Sequence, residues 1–588
     1  MQPSTSFTVR QLSLGRLAAL IATTLVASVA IGLPPAPVTA QPDAAKLVRL
    51  PFPKYDGTLT PYTFEVGYPL VTLVYDTLLW RDAKGVPRPW LARSVKRSDA
   101  GRRLTVRLRK GVRWHDGRPL TAADVAFTFR YVAGRFHPRF SPQLARIENV
   151  RATDRLTVIF DLNRPSLAFD DQPLADLPIL PRHLWEGVPP ARLAPPGLPV
   201  GSGPYRLTGA GPEKGYRFRA NRGYFKGRPR VGRIRVPIIR QEERTQRALR
   251  RRQVDMLPVS LTEDAAKELG GSLGINVRRG PSYSGTALLL NLRRPPFKRR
   301  AVRRALGRAL DLERIVRNVG QGDPADEGFI HPQSRWASNE VLQRFDLTAA
   351  RRSLERLKVP RIRVLAPAND AVRAEAGRQV VLALRRAGGK ATLTKLLPGK
   401  LGRAIGEDGS KPDFEAAIVT TPALASYDPD FLRRVFGAEP GDAPLNYSGY
   451  RSAAFGALAE RVAIARDREA RQRAVVSELR LLAKDLPEIP LFFSEGAFAY
   501  RPSAHDGWVF IAGAGILDKR SFLPGEASSP SRSVDQGGEA GRGEDAGGTV
   551  DSGSSAVDVL RIASLGLLVI VLALAAVALV TRRRTRES

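Results

Sequence analysis

The chain reads as an α/β protein, and three features predict this. Some runs carry apolar residues at every second position, others carry apolar stripes at helical spacing, and the two kinds alternate through residues 41–525. Leu104-Thr105-Val106-Arg107-Leu108 alternates apolar and polar, as a half-buried strand does, and Leu156 to Leu162 follows the same rule. Asp116-Gly117 marks a turn before the next helix. That helix starts at Thr121-Ala122-Ala123-Asp124, where Thr121 is placed to cap and Asp124 sits at the capping-box position. Val125, Phe129 and Val132 continue it at helical spacing. A second helix follows Pro295-Pro296, with Val302, Leu306, Ala309 and Leu310 as its apolar stripe. Its Arg303, Arg304 and Arg308 are expected on a solvated face. Leu458 to Leu482 reads as a third amphipathic helix.

The 588 residues suffice for several domains, and the apolar fraction of 43% is enough for a sizeable core. With no cysteine in the sequence, disulfides, thiolate metal sites, cysteine nucleophiles and a lipidated cysteine anchor are all excluded. The net charge of +36 raises the question of a polyanionic partner, but the basic residues are spread along the whole chain. No aromatic-basic nucleic-acid module is evident, and no nucleic-acid partner is expected.

Both ends carry membrane signals. Arg10 and Arg16 precede an apolar run from Leu17 to Leu33, then prolines, then Val38-Thr39-Ala40. This is the order of a secretory signal peptide, residues 1–40, with cleavage expected after Ala40. A second apolar run, Ile562 to Val580, has the length of a bilayer core, about 30 Å at 1.5 Å per residue. Arg582, Arg583, Arg584 and Arg586 follow it, which predicts a transmembrane helix over 557–581 with residues 582–588 in the cytoplasm. The stretch 526–556, rich in Gly, Ser, Asp and Glu, reads as a flexible linker with a mean reach of roughly 30 Å.

Within the body, a long series of motifs carries a family resemblance. YDTLLW from Tyr75 and PRPWLARSVKRSDAGRRLTVRLRKGVRWHDGRPLTAADVAFTF from Pro87 to Phe129 resemble the signature region of family 5 solute-binding proteins, the oligopeptide, dipeptide and nickel receptors. GSGPY at Gly201–Tyr205, NRGYFKGRPRVGRIRV, Arg252-Gln253-Val254-Asp255 and the run from Leu288 to Val316 resemble later markers. Tyr427-Asp428-Pro429-Asp430-Phe431-Leu432 and Ile489-Pro490-Leu491 complete the series.

The resemblance implies a two-lobed periplasmic-binding-protein-like fold of type II, with an extra subdomain in the first lobe and a ligand cleft that closes by hinge motion. Lobe I is expected over 41–75, 196–280 and a return segment 490–525, its extra subdomain over 76–195, and lobe II over 281–489. The implied function is that of the receptor of an ABC importer. It would capture a peptide or another small polar solute outside the cytoplasm and deliver it to permease subunits with their ATPase, moored to the membrane by the C-terminal helix. Two other readings compete: a cell-wall, polyanion-binding or sensory surface protein, and an exported hydrolase on the same fold.

No catalytic constellation supports the hydrolase. His115-Asp116 within WHDG reads as a structural turn with Trp114 buried. The histidines at 115, 137, 183, 331 and 505 lack metal-ligand spacing, and no metal or other cofactor is expected. Gly201-Ser202-Gly203 lacks the full nucleophile-elbow pattern. A peptide-like ligand instead needs backbone partners, an aromatic or apolar wall and charges for its termini. The candidates are Gly201, Ser202, Gly203, Tyr205, Tyr283, Ser284, Asn291, Tyr427, Asp428 and Tyr447. In peptide-binding relatives an aspartate a few residues before the acid-Pro pair holds the ligand's amino group. Ala425 stands at that position here, with Asp428 and Asp430 nearby.

Overall fold

Two long strands, Asn276–Leu290 and Glu488–Tyr500, run antiparallel and organise the chain. The computed structural model describes residues 46–525 apart from 65–66, 136, 138, 190–192 and 439–442. The expected signal peptide, linker and C-terminal helix therefore lie outside the described residues. Among the described residues no helix is long and apolar enough to cross a membrane.

The first half of this strand pair joins Asn276–Pro281 to Glu495–Tyr500, beside a small core of Leu249, Leu269, Ala497 and Ala499. The second half joins Gly285–Leu289 to Glu488–Phe493 inside a larger body. Between the halves the register shifts from Pro281 to Gly285, and Tyr283 takes a left-handed φ of 59°. A bulge at this point interrupts the ladder between the two halves.

On the first side lies a four-stranded sheet in the order Leu47–Arg49, Arg233–Val236, Gly215–Ala220, Tyr205–Gly211. Alternation sets its two faces. Tyr205, Leu207, Tyr216, Phe218, Ile234 and Val236 point into a core shared with Phe498, Trp508 and Phe522. The outer face carries Arg206, Arg217, Arg219, Arg233 and Arg235, with Arg206 directly opposite Arg219.

A second four-stranded sheet, Ala92–Ser98, Arg103–Leu108, Thr157–Leu162, Ile147–Ala152, is antiparallel throughout. Both strand runs expected here are present. The helix Ala122–Ala133 packs on this sheet through Val125, Phe129 and Val132. Its capping box is formed, with the Asp124 carboxylate accepting from Thr121 N at 2.8 Å. The Asp116-Gly117 turn also forms, with Gly117 at φ 91°.

The largest body is a six-stranded mixed sheet, ordered Asp323–Pro324, Glu488–Tyr500, Asn276–Leu290, Ala416–Thr421, Ile362–Pro367, Ala391–Leu396. Helices Arg300–Ala309 and Ala371–Arg386 cover one face through Val302, Leu306, Val380 and Leu384. The other face holds a smaller cluster around Leu289, Leu365, Leu401, Ile405 and Ala417.

Two local expectations are corrected. Arg303 is not on a solvated face: it is 5% exposed, and its guanidinium donates to the carbonyls of Asp485, Phe297 and Lys298. Those carbonyls lie at the ends of the helices Pro295–Lys298 and Arg468–Asp485, and a five-donor fork satisfies several at once. Leu458 to Leu482 is not one helix but two, Ala453–Ile464 and Arg468–Asp485. Asp467 breaks the run by capping the second helix, its side chain accepting from Ala470 N at 2.8 Å.

Candidate functional site

The bulged strand pair forms the back of a crevice. On one wall stand the start of helix Glu242–Arg250 and the segment Val259–Thr262, and on the other Ala368–Glu375 and Thr420. Ser284, Thr286, Ser494 and Glu495 form the floor, and the cavity volume is about 800 Å³. On the second wall Asp370 caps the helix Ala371–Arg386, accepting from Arg373 N at 2.8 Å. The same carboxylate holds Arg373 Nε at 2.8 Å, and Arg373 Nη1 donates to Thr420 Oγ1 at 2.6 Å. The lining carries both signs: Glu242, Glu243, Asp370, Glu375 and Glu495 together with Arg373 and Lys395. A lining of hydroxyls and mixed charges suits a polar solute.

Arg373 and Thr420 also line an adjoining recess of about 270 Å³. Its walls are mainly apolar: Leu289, Leu401, Ile405, Phe431, Phe436 and Leu445. Tyr447, Thr421, Glu407 and Glu488 supply its other polar groups.

Beside the recess, the segment from Leu424 to Phe436 closes onto the other bodies. The Tyr427 ring lies 5.4 Å from Tyr283 and 4.5 Å from the Arg81 guanidinium, and its hydroxyl donates to the Ala512 carbonyl. Gly513 is required here: it sits at φ 80°, and a Cβ would meet the Tyr427 hydroxyl at 2.5 Å. Arg146 pairs with Asp430 at 3.0 Å, Arg335 with Asp171 at 2.5 Å, and Arg434 Nη2 donates to Gln172 Oε1 at 3.1 Å. These contacts join the six-stranded body to the sheet around Arg103–Leu108 and its following loops. Asp428 pairs with Arg471, which is fully buried.

Burial dominates the acidity of these carboxyls. It pushes Asp171 up to about 7, against the pull of Arg335. It would also raise Asp430, but Arg146, Arg433 and Arg471 outweigh it and hold that carboxyl below the usual range. Glu478 is pushed well up by burial and by the neighbouring Asp430 charge, against the pull of Arg471 and Arg433, and neither of its oxygens has a hydrogen-bond partner.

The structure separates the expected site residues into groups. Ser284 lines the crevice and Tyr447 the recess. Tyr283, Tyr427 and Asp428 belong to the closing junction beside them. Gly201, Ser202, Gly203 and Tyr205 line neither. They are buried against helix Tyr68–Val74, with Gly203 N donating to Val74 O at 2.8 Å. A Cβ on Gly201 would collide with the same carbonyl. Ser202 Oγ donates to Asp76 Oδ2 at 3.1 Å, and Tyr205 OH to Val231 O at 2.8 Å. The GSGPY marker thus allows close backbone approach. Asn291 is also buried, its amide donating to Phe414 O at 2.9 Å and accepting from Arg293 N. His115 bonds Gly203 O at 3.0 Å, and Asp116 turns instead to His183 at 2.6 Å. Trp114 is buried, as the structural reading of WHDG expects.

Arg373, Thr420 and Glu488 were not foreseen. Asp370-Ala371-Val372-Arg373 carried a readable helix-cap signal, and Glu488 stood out as an acid heading an apolar strand. Neither pattern by itself points to a cavity.

Similarity to known proteins agrees with this architecture. The family described as bacterial extracellular solute-binding proteins, family 5 Middle, matches residues 86–443. Protein XP55 of Streptomyces lividans is 31% identical over 317 residues, 53% of this chain and 57% of that protein. The oligopeptide-binding protein AppA of Bacillus subtilis is 29% identical over 266 residues, 44% of this chain and 49% of that one. The chain thus spans about half the length of the curated relatives it matches. Among solved structures, the ABC transporter substrate-binding protein CtaP of Listeria monocytogenes superposes with TM-score 0.71 at 22% identity, covering 80% of this chain and 98% of that one. AppA of Bacillus subtilis, solved with a nonapeptide, gives 0.67 at 20% identity, with coverage of 80% and 98%. The fold is the α/β fold of the periplasmic binding proteins, and the family's members are binding receptors, not enzymes. The chain belongs to family 5 of the bacterial extracellular solute-binding proteins.

Proposed function

We propose that the protein is the substrate-binding receptor of an ABC importer, taking peptides or similar small polar solutes into the crevice and handing them to a membrane permease. One observation carries this reading: a polar crevice lies across a bulged two-strand connection and opens beside an apolar recess. A peptide offers the matching chemistry, a polar backbone for the crevice and a side chain for the recess. The likeness to a receptor solved with a nonapeptide favours the same class of ligand.

The division into lobe I (41–75, 196–280, 490–525), its subdomain (76–195) and lobe II (281–489) belongs to this reading. The separate hydrophobic clusters of the three sheets support it. So does an extracytoplasmic body, exported by residues 1–40 and moored by a helix over 557–581, for which the support is the sequence pattern at each end.

The test is isothermal titration of the full-length protein against a peptide library, with mass spectrometry of any co-purified solute. Micromolar or tighter heats with peptides are expected. Neither heat nor thermal shift with any peptide would reject the peptide reading. Membrane fractionation with protease protection checks the topology, and a body recovered inside the cytoplasm would reject it.

A further inference from the structure

One carboxyl in the recess has no partner among the described residues. Glu488 pairs in register with Leu289, Leu289 with Ala417, and Ala417 with Leu365. Strand alternation places these four on the same face of the six-stranded sheet, so an acid heads an otherwise apolar row. Glu488 is 6% exposed and lines the recess. Its carboxyl makes no hydrogen bond or ion pair among the described residues, whereas Asp428 and Asp430 pair with arginines; Glu478 is also without a hydrogen-bond partner, but only Glu488 of the two lines the recess. The charged groups sharing the recess do not neutralise it. Arg373 is committed to Asp370 and Thr420, and Glu407 is a second acid at the exposed edge.

An unpaired buried carboxyl is costly, and a fold that needed only packing would place an apolar residue there. We propose that the recess is a specificity pocket for a solute group with an apolar stem and a cationic tip, an alkylammonium or guanidinium, that pairs with Glu488. This rests on the receptor reading above and names the class of solute. The volume of about 270 Å³ suits one side-chain-sized group, not a whole ligand. The walls of Leu289, Leu401, Ile405 and Phe431 match the methylene stem, and the carboxyl matches the tip. A neutral alkyl group would fill the walls but leave the carboxyl unpaired. Burial pushes Glu488 up to about 8, so at neutral pH the empty recess holds the protonated acid. Entry of a cation ionises it, and the proton passes to solvent. Affinity for the cation therefore rises with pH from 6 to 8.

The test titrates full-length protein with Ala-Lys-Ala and Ala-norleucine-Ala. Wild type is expected to prefer the lysine peptide about tenfold or more. Glu488→Gln is expected to lose that preference. Wild type should also release close to one proton per lysine peptide bound, read from the dependence of the heat on buffer ionisation enthalpy. That measurement needs no variant. Equal affinities for the two peptides, a preference surviving in Glu488→Gln, or no proton release each overturns the proposal. If other peptides bind and the lysine peptide does not, the pocket assignment falls and the receptor reading stands. If no peptide binds, both fall.

Discussion

Glu488→Gln should change how stability depends on pH even with no solute present. The wild-type carboxyl titrates near 8 in the folded state because burial disfavours its charge, against an ordinary value of 4.5. A raised folded pKa means that the native state holds a proton which the unfolded chain has already lost. The stabilising contribution is full below about pH 4.5 and is lost as pH rises through about 8. Across that window wild-type stability falls by about 1.4 kcal/mol per pH unit from this group, or ~3 kcal/mol between pH 4.5 and 7. Glutamine does not titrate, so its amide adds an offset independent of pH. The difference in unfolding free energy, variant minus wild type, should therefore climb by ~3 kcal/mol from pH 4.5 to 7 and level off above 8. Urea unfolding of both proteins at half-unit steps from pH 4.5 to 8.5 measures it, provided m stays constant. Parallel curves would refute the reasoning, because they would mean that Glu488 is ionised and solvated in the folded state.

Arg471→Met should destabilise the fold by about 3–5 kcal/mol, since it leaves the buried Asp428 carboxylate without its cation; urea midpoints read it. Arg146→Met removes a pair with Asp430 that joins two bodies of the fold. It should favour separation of those bodies, seen as a larger radius of gyration in solution scattering and a several-fold weaker apparent affinity for peptides. Gly513→Ala introduces a Cβ at a left-handed position against the Tyr427 hydroxyl, and should lower the thermal midpoint where a surface Gly→Ala would raise it. Arg219→Thr relieves a like-charge pair with Arg206 on the adjacent strand. It should raise the midpoint by about 1–2 °C at low salt and by less at high salt.

Much of the local architecture was legible because its causes are short-range. Arg103–Leu108 and Thr157–Leu162 are strands because alternation at period two needs only neighbouring residues. The Thr121–Asp124 cap and the Asp116-Gly117 turn are contacts within four residues. Legibility failed where the partner is remote. Arg303 looked solvated because its helix is amphipathic, yet carbonyls at Asp485 and Phe297 draw it inward. Gly201, Ser202, Gly203 and Tyr205 were candidates for backbone and aromatic contacts to a ligand. The actual partner is helix Tyr68–Val74, more than a hundred residues earlier.

By itself, the sequence determined the α/β class, the strand and helix periods, the family, and the absence of cysteine chemistry. Each follows from composition, or from patterns carried by residues near one another in the chain. Only the tertiary structure decided where the crevice lies, that Arg373 is locked between Asp370 and Thr420, and that Glu488 lines a mainly apolar recess. Whether a charge is buried, paired or exposed depends on which distant segments surround it. Those contacts are fixed by the packing of sheets on helices, to which no local period refers.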